Sequence, residues 1–160
     1  MSNGLFRTRK TPRSRASLVI SGVPKAVIRI TPLPGDSRLD EVTEYTRRYP
    51  ARFVGLAGYN PFRIKESLGE IETAVKVHGF RGVYVHLYGF DLPLHDKKMY
   101  PLYAKCVELD VPVSLQVGHV LEGMPSEHGR PIYLDYVACD FPELKMVGAH
   151  TGWPWVEELI

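Results

Sequence analysis

Lys145-Met-Val-Gly-Ala-His150-Thr-Gly-Trp-Pro-Trp155 reads as a short apolar strand that runs into a histidine, breaks at Gly152 and Pro154, and restarts as a helix near Trp155. A histidine at the carboxyl end of a buried strand, with a tight turn after it, sits where α/β proteins keep their chemistry. The same strand, turn and helix grammar recurs upstream.

Immediately before it, Phe141-Pro142 stops a helix that carries Ile132, Tyr133, Tyr136 and Val137. A glycine- and proline-bearing loop, 118–131, separates that helix from the strand Val111–Val117. Earlier still, Asp96 is placed to cap a helix burying Met99, Leu102, Tyr103, Cys106 and Leu109. Pro101 must fall in its first turn, where the missing N–H breaks no ladder bond. Gly82–Leu87 is the strand before that, followed by a loop through Tyr88 to His95. Arg52–Ala57 is another strand, with Asn60-Pro61 opening a helix whose stripe is Ile64, Leu68, Ile71 and Val75. Ala26–Ile30 is the first, and Leu39, Val42, Tyr45 and Tyr49 recur at helical spacing behind a cap at Ser37.

Strands therefore begin near 26, 52, 82, 112 and 144, close to the roughly 30-residue repeat of a βαβ unit. Strands separated by helices predict an α/β fold with a parallel sheet and right-handed crossovers. A closed (β/α)8 TIM barrel takes about 250 residues, so 160 residues predict a partial barrel that does not close within this chain. Met1 to about Ser21 shows no apolar period. The expected organisation is a basic irregular arm, 1–21, and a partial-barrel domain, 22–160.

A chain 44% hydrophobic and 24% charged, with a net charge of +2, has the composition of an ordinary soluble protein. The charge is uneven: Arg7, Arg9, Lys10, Arg13, Arg15, Lys25 and Arg29 face no acid in the first 30 residues, and the body is mildly acidic. The arm reads as a solvated tail, and nucleic acid is not the expected partner. Cys106 and Cys139 lack a C-x-x-C spacing and are expected as buried free thiols in a reducing compartment. With no signal peptide and no apolar run near the roughly 20 residues that span a bilayer, the expectation is a cytoplasmic protein.

At the carboxyl ends of the strands, Met146, Gly148 and His150 share one face of the last, and Ser114 and Gln116 one face of the strand before it. His119 lies just beyond in the loop. These are the candidate site residues, although Gln116 could serve neighbouring backbone and His119 could simply face water. His86, on the face of Tyr84 and Tyr88, either lines the same mouth or is a core histidine. Trp153 and Trp155 could stack on a planar substrate or pack a helix start. His78, at a helix end, suits the dipole there; His95 and His128 lie in loops. A Walker loop, a dinucleotide fingerprint, a nucleophile elbow and H-E-x-x-H are all absent.

Several blocks together resemble a known family. They are Gly79–Gly82, Tyr100–Val113, Gln116-Val-Gly-His119, Pro125-Ser-Glu-His-Gly-Arg-Pro131 and Phe141–Trp155. The chain is similar, over about 26–160, to an internal portion of the amidohydrolase-related proteins. These are metal-dependent TIM-barrel hydrolases and nonoxidative decarboxylases, aminocarboxymuconate-semialdehyde decarboxylase among them. The resemblance implies a small, carboxylated substrate and one divalent metal, zinc or manganese, at the barrel mouth. It implies that His150 is the acid/base, that Gln116 or His119 touches the metal, and that Trp153, His86 and Tyr88 wall the pocket. The family's first-strand His-x-His and eighth-strand Asp have no counterpart here, so an incomplete metal site is expected. The alternative expectation is a noncatalytic half-barrel that serves as an interaction surface, with a homodimer as its form.

Overall fold

The computed structural model describes residues 39–86, 90–119 and 125–160, and the backbone pairing of 17–19 and 26–29. In chain order the elements are β1 (Ser17–Val19), β2 (Ala26–Arg29), α1 (Leu39–Arg48), β3 (Phe53–Gly58), α2 (Ile64–Lys76), β4 (Val83–Val85), α3 (Tyr100–Glu108), β5 (Val113–Gln116), α4 (Tyr133–Asp140), β6 (Met146–Ala149) and α5 (Val156–Leu159). Short 3-10 turns occupy Ser126–Gly129 and His150–Gly152. The strands form one sheet in the order β1-β2-β3-β4-β5-β6. From β2 onward every pairing is parallel, with a helix between successive strands. This is the expected partial barrel.

One strand was not foreseen. Ser17–Val19 lie in the stretch expected to be irregular, yet they pair antiparallel with β2. Three residues are too few for period-two alternation to show in the sequence. The rest of the basic arm, and Tyr88, lie outside the described residues.

Register decides which side chains share a face. Gly58 pairs with Tyr84, Tyr84 with Ser114 and Ser114 with Val147, so these four form one row on the sheet's inner side. The neighbouring row, Ala57, Val83, Val113 and Met146, faces the helices. Between the helices and that face lies the core. Val83, Val85, Val113 and Leu115 are fully buried against Ile71, Ala74, Leu102, Tyr103 and Cys106. Two glycines let the layers approach. A Cβ on Gly55 would lie 2.8 Å from the Phe80 ring, and one on Gly82 would lie 2.7 Å from the Pro112 carbonyl oxygen.

Local signals were displaced by a few residues rather than lost. Asn60 does not cap α2 directly. Its Oδ1 accepts from Phe62 N at 2.9 Å in a preceding turn, and its backbone N donates to Ser67 Oγ at 3.1 Å, which satisfies both buried side chains. Asp96 likewise accepts from Lys98 N at 2.8 Å and shapes the turn before α3, where Pro101 sits in the first helical turn as required. Tyr45 and Tyr49, expected in the stripe of α1, remain exposed.

The cysteines divide. Cys106 is fully buried, and burial pushes its thiol up to about 12. Cys139, expected to be buried as well, is exposed, because α4 is short and turns only Val137 fully inward. Among the described residues no helix is long and apolar enough to cross a membrane.

At pH 8 a thiol reagent is expected to titrate Cys139 in the native protein and Cys106 only after unfolding; rapid native labelling of both would contradict the packing. Leu115→Ala, at a fully buried position, is expected to cost about 2–5 kcal/mol of unfolding free energy in denaturant titration.

Candidate functional site

In a parallel sheet all carboxyl ends lie on one rim, and here the rim between β5 and β6 is where the sequence candidates gather. Ser114 and Gln116 keep to the inner face. The Gln116 Oε1 accepts from the Tyr84 hydroxyl at 2.8 Å, and the His86 ring stands edge-on to Tyr84 at 6.3 Å between centroids. Tyr84, Gln116 and His86 therefore form a polar patch on the inner wall.

His150 does not simply continue β6. Continued alternation would turn it to the helix side with Met146 and Gly148, since a Cβ on Gly148 would meet Leu159 and Leu134 from α5 and α4. Instead the backbone turns left-handed at His150 (φ 66) and Thr151 (φ 54). Neither is glycine and Thr151 is β-branched, so each such residue costs about 1–3 kcal/mol that surrounding packing must offset. The His150 side chain is exposed. Nor is β6 the buried strand that was expected. It stands at the edge of the sheet, and Val147, on the inner row, is 52% exposed.

The loops after β5 and β6 interlock. Gly118 N donates to the Gly129 carbonyl at 2.6 Å, and His119 N donates to the Trp153 carbonyl. Gly118 has φ 108, and a Cβ there would sit 2.7 Å from that same Trp153 oxygen, so only glycine fits. On the other side of the turn, a Cβ on Gly152 would meet Pro131 at 2.7 Å. These close passages set the His119 ring against Trp153, with centroids 5.5 Å apart and planes tilted by 50°.

A clamp unforeseen in the sequence holds the two loops. Arg130 makes a two-pronged contact with Glu158 of α5, including Nε to Oε2 at 3.3 Å. It also lies 3.6 Å from Glu127 and 5.9 Å from the centre of the Trp155 ring. Glu127 in turn accepts from the Tyr133 hydroxyl at 2.6 Å. The Arg130 hydrogen bond, then its charge, holds the Glu158 carboxyl below the usual range. Arg130 and Glu158 belong to different units and fall into no short motif, so sequence spacing offered no signal. His128 Nε2 lies 3.0 Å from Asp91, and the His95 ring stacks on Tyr136 at 5.0 Å, joining the loop after β4 to the same assembly.

The donor set does not add up to a metal centre. Among the described residues no three of His, Cys, Asp or Glu converge to hold an ion. The ligating atom of Gln116, its amide oxygen, is already engaged by Tyr84. Zinc sites in proteins ordinarily take at least three protein ligands.

A model of the amidohydrolase family matches residues 16–160. Among solved structures, an uncharacterised TIM-barrel protein from Bordetella bronchiseptica superposes with a TM-score of 0.75 at 26% identity, covering 86% of this chain and 50% of that one. 2,6-Dihydroxybenzoate decarboxylase from Rhizobium gives 0.56 at 18% identity, over 71% of this chain and 43% of that one. 5-Carboxyvanillate decarboxylase from Novosphingobium aromaticivorans, solved with bound manganese, gives 0.57 at 18% identity, over 71% and 38%. The chain thus spans about half the length of the first of these or less of the others.

Because the folded pKa of Glu158 is depressed, the clamp contributes stability above the ordinary carboxylate pKa and loses it as pH falls through the lower folded value. Both tryptophans of the chain lie in this assembly. Their fluorescence is expected to change with an acid midpoint below the ~4.3 of a free glutamate. Glu158→Gln should abolish that transition. A midpoint at or above 4.3 would mean that the clamp does not form in solution.

Proposed function

Because the chain belongs to the amidohydrolase family, we propose that it carries part of the active site of a metal-dependent hydrolase or nonoxidative decarboxylase acting on a small carboxylated, aromatic substrate. The observation that carries this reading is the meeting of His119 and Trp153 at the carboxyl rim, beside the turn that presents His150. Decarboxylases of hydroxylated benzoates share the fold, and several of their structures hold manganese.

In this reading His150 is the acid/base. It donates a proton to the carbon that loses its carboxylate, or to the leaving group of a hydrolysis. Trp153 supports an aromatic ring by stacking, and His119 lies at its edge, placed to donate to a carboxylate oxygen. His86 forms the inner wall through Tyr84, and Tyr88 would extend it. The left-handed turn at His150 and Thr151 fits such a role, since strained backbone is retained where a side chain must be aimed. Zinc or manganese would be the family's metal. Gln116 and His119 do not suffice to hold one, so no step is assigned to it here.

The open edge of β6, with Val147 exposed on the inner row, favours a second reading in which this half-barrel is an interaction domain. In that case the chain forms a stable homodimer that buries β6 and binds no carboxylate.

Titration of the 160-residue chain with 2,6-dihydroxybenzoate is expected to quench tryptophan fluorescence saturably, and His119→Ala is expected to remove the response. Metal analysis should find well under one zinc or manganese per chain. An absent response, together with a dimer in solution, would sink the enzyme reading; stoichiometric metal would show that the site is complete.

A further inference from the structure

At the opposite end of the sheet from His119 and Trp153 lies a cavity of about 400 Å³. Its walls are α1, the amino-terminal end of β3 and the turn between α2 and β4. Arg47, His78 and Arg81 line it, and no acidic residue does so among the described residues. Elsewhere the described surface pairs many of its cations. Arg63, Lys76, Lys105, Arg130 and Lys145 each have a carboxylate within 4.0 Å. Arg47 and Arg81 have no such partner among the described residues.

Arg47 lies in the last turn of α1 and His78 just past α2, where a cation suits the helix dipole, whereas Arg81 lies farther beyond the end of α2. Of the carboxyl-terminal carbonyls, Tyr45 O accepts from Tyr49 N and Thr73 O from Val77 N and His78 N. Ala74 O accepts from Phe80 N in the same way. A set of cations facing one cavity without counter-charge among the described residues is unfavourable, and an oxyanion in the cavity would relieve it.

We propose that this cavity binds a small organic phosphate. The phosphoryl oxygens are taken by the guanidinium groups of Arg47 and Arg81, and the organic part lies on Pro50, Phe53 and Val77. A tetrahedral dianion offers acceptors to both guanidinium groups at once, which a planar monoanionic carboxylate does less well. The space exceeds what phosphate alone fills, and these apolar walls take the remainder.

Calorimetric titration of the full chain at fixed ionic strength, with phenyl phosphate, inorganic phosphate and benzoate as probes, tests the assignment. Phenyl phosphate is expected to bind saturably, inorganic phosphate more weakly and benzoate weakest. The double variant Arg47→Gln/Arg81→Gln should weaken phenyl phosphate by about tenfold or more, since charge-assisted bonds are lost. Should the double variant fail to fold, the His78 ring resonances of the wild type must still shift on addition of phenyl phosphate. Equal affinity of wild type and the double variant, no saturable binding at millimolar probe, or benzoate binding as dependent on Arg47 and Arg81 as that of phenyl phosphate would each overturn the proposal. A carboxylate bound at the other rim is insensitive to these substitutions, so the two sites can fail independently.

Discussion

A parallel ladder with helical returns permits only one arrangement of ends. Each strand must start at the same rim and finish at the other, so every side chain just past a strand's last residue meets its counterparts from the neighbouring strands. The candidate site follows from that constraint. Val113 against Met146 and Gln116 against Ala149 set the register, and the register brings the loop that begins at Gly118 beside the turn that ends at Trp153. Without it, His119 and Trp153 would be two loop residues with no reason to touch.

Much of this was legible from residue order. The starts of the parallel strands, the placement of Pro101 and the gathering of Gln116, His119 and His150 at one rim came from apolar periodicity, punctuation by glycine and proline, and strand polarity; Trp153 joined them only through the family resemblance. What periodicity could not reach was anything set by backbone departures. Alternation assigned His150 a face, and the left-handed turn at that residue cancels the assignment. Nor could a count of polar residues reveal that Arg130 would find Glu158, because that pairing exists only once two loops have been folded onto each other. The burial of β6 was misjudged for a related reason. An apolar strand reads the same in the middle of a sheet as at its edge, and only the pairing partners tell the two apart.

Membership of the amidohydrolase family and the rim between β5 and β6 describe the same parallel scaffold. His119 and Trp153 stand together on glycine-dependent backbone, whereas among the described residues no three metal-ligating side chains converge. The two ends of the sheet also differ in chemical character. One rim carries aromatic rings and histidines held by an ion pair; the other has a cavity lined by Arg47, His78 and Arg81, with no acidic residue in its wall among the described residues. Helix carboxyl termini and strand amino termini meet at the second, so whatever binds there meets the scaffold and not the loops.

Strand order in this sheet equals chain order from β1 to β6. Each unit therefore touches chiefly the one before and the one after it, as in a repeat array, and no pairing waits for a distant segment. Stability in such a sheet accrues unit by unit. The last strand added is always the least supported, and it gains most from a neighbour on its free side. Boundaries between units are then natural places for recombination, because a cut there severs one interface and leaves the others whole.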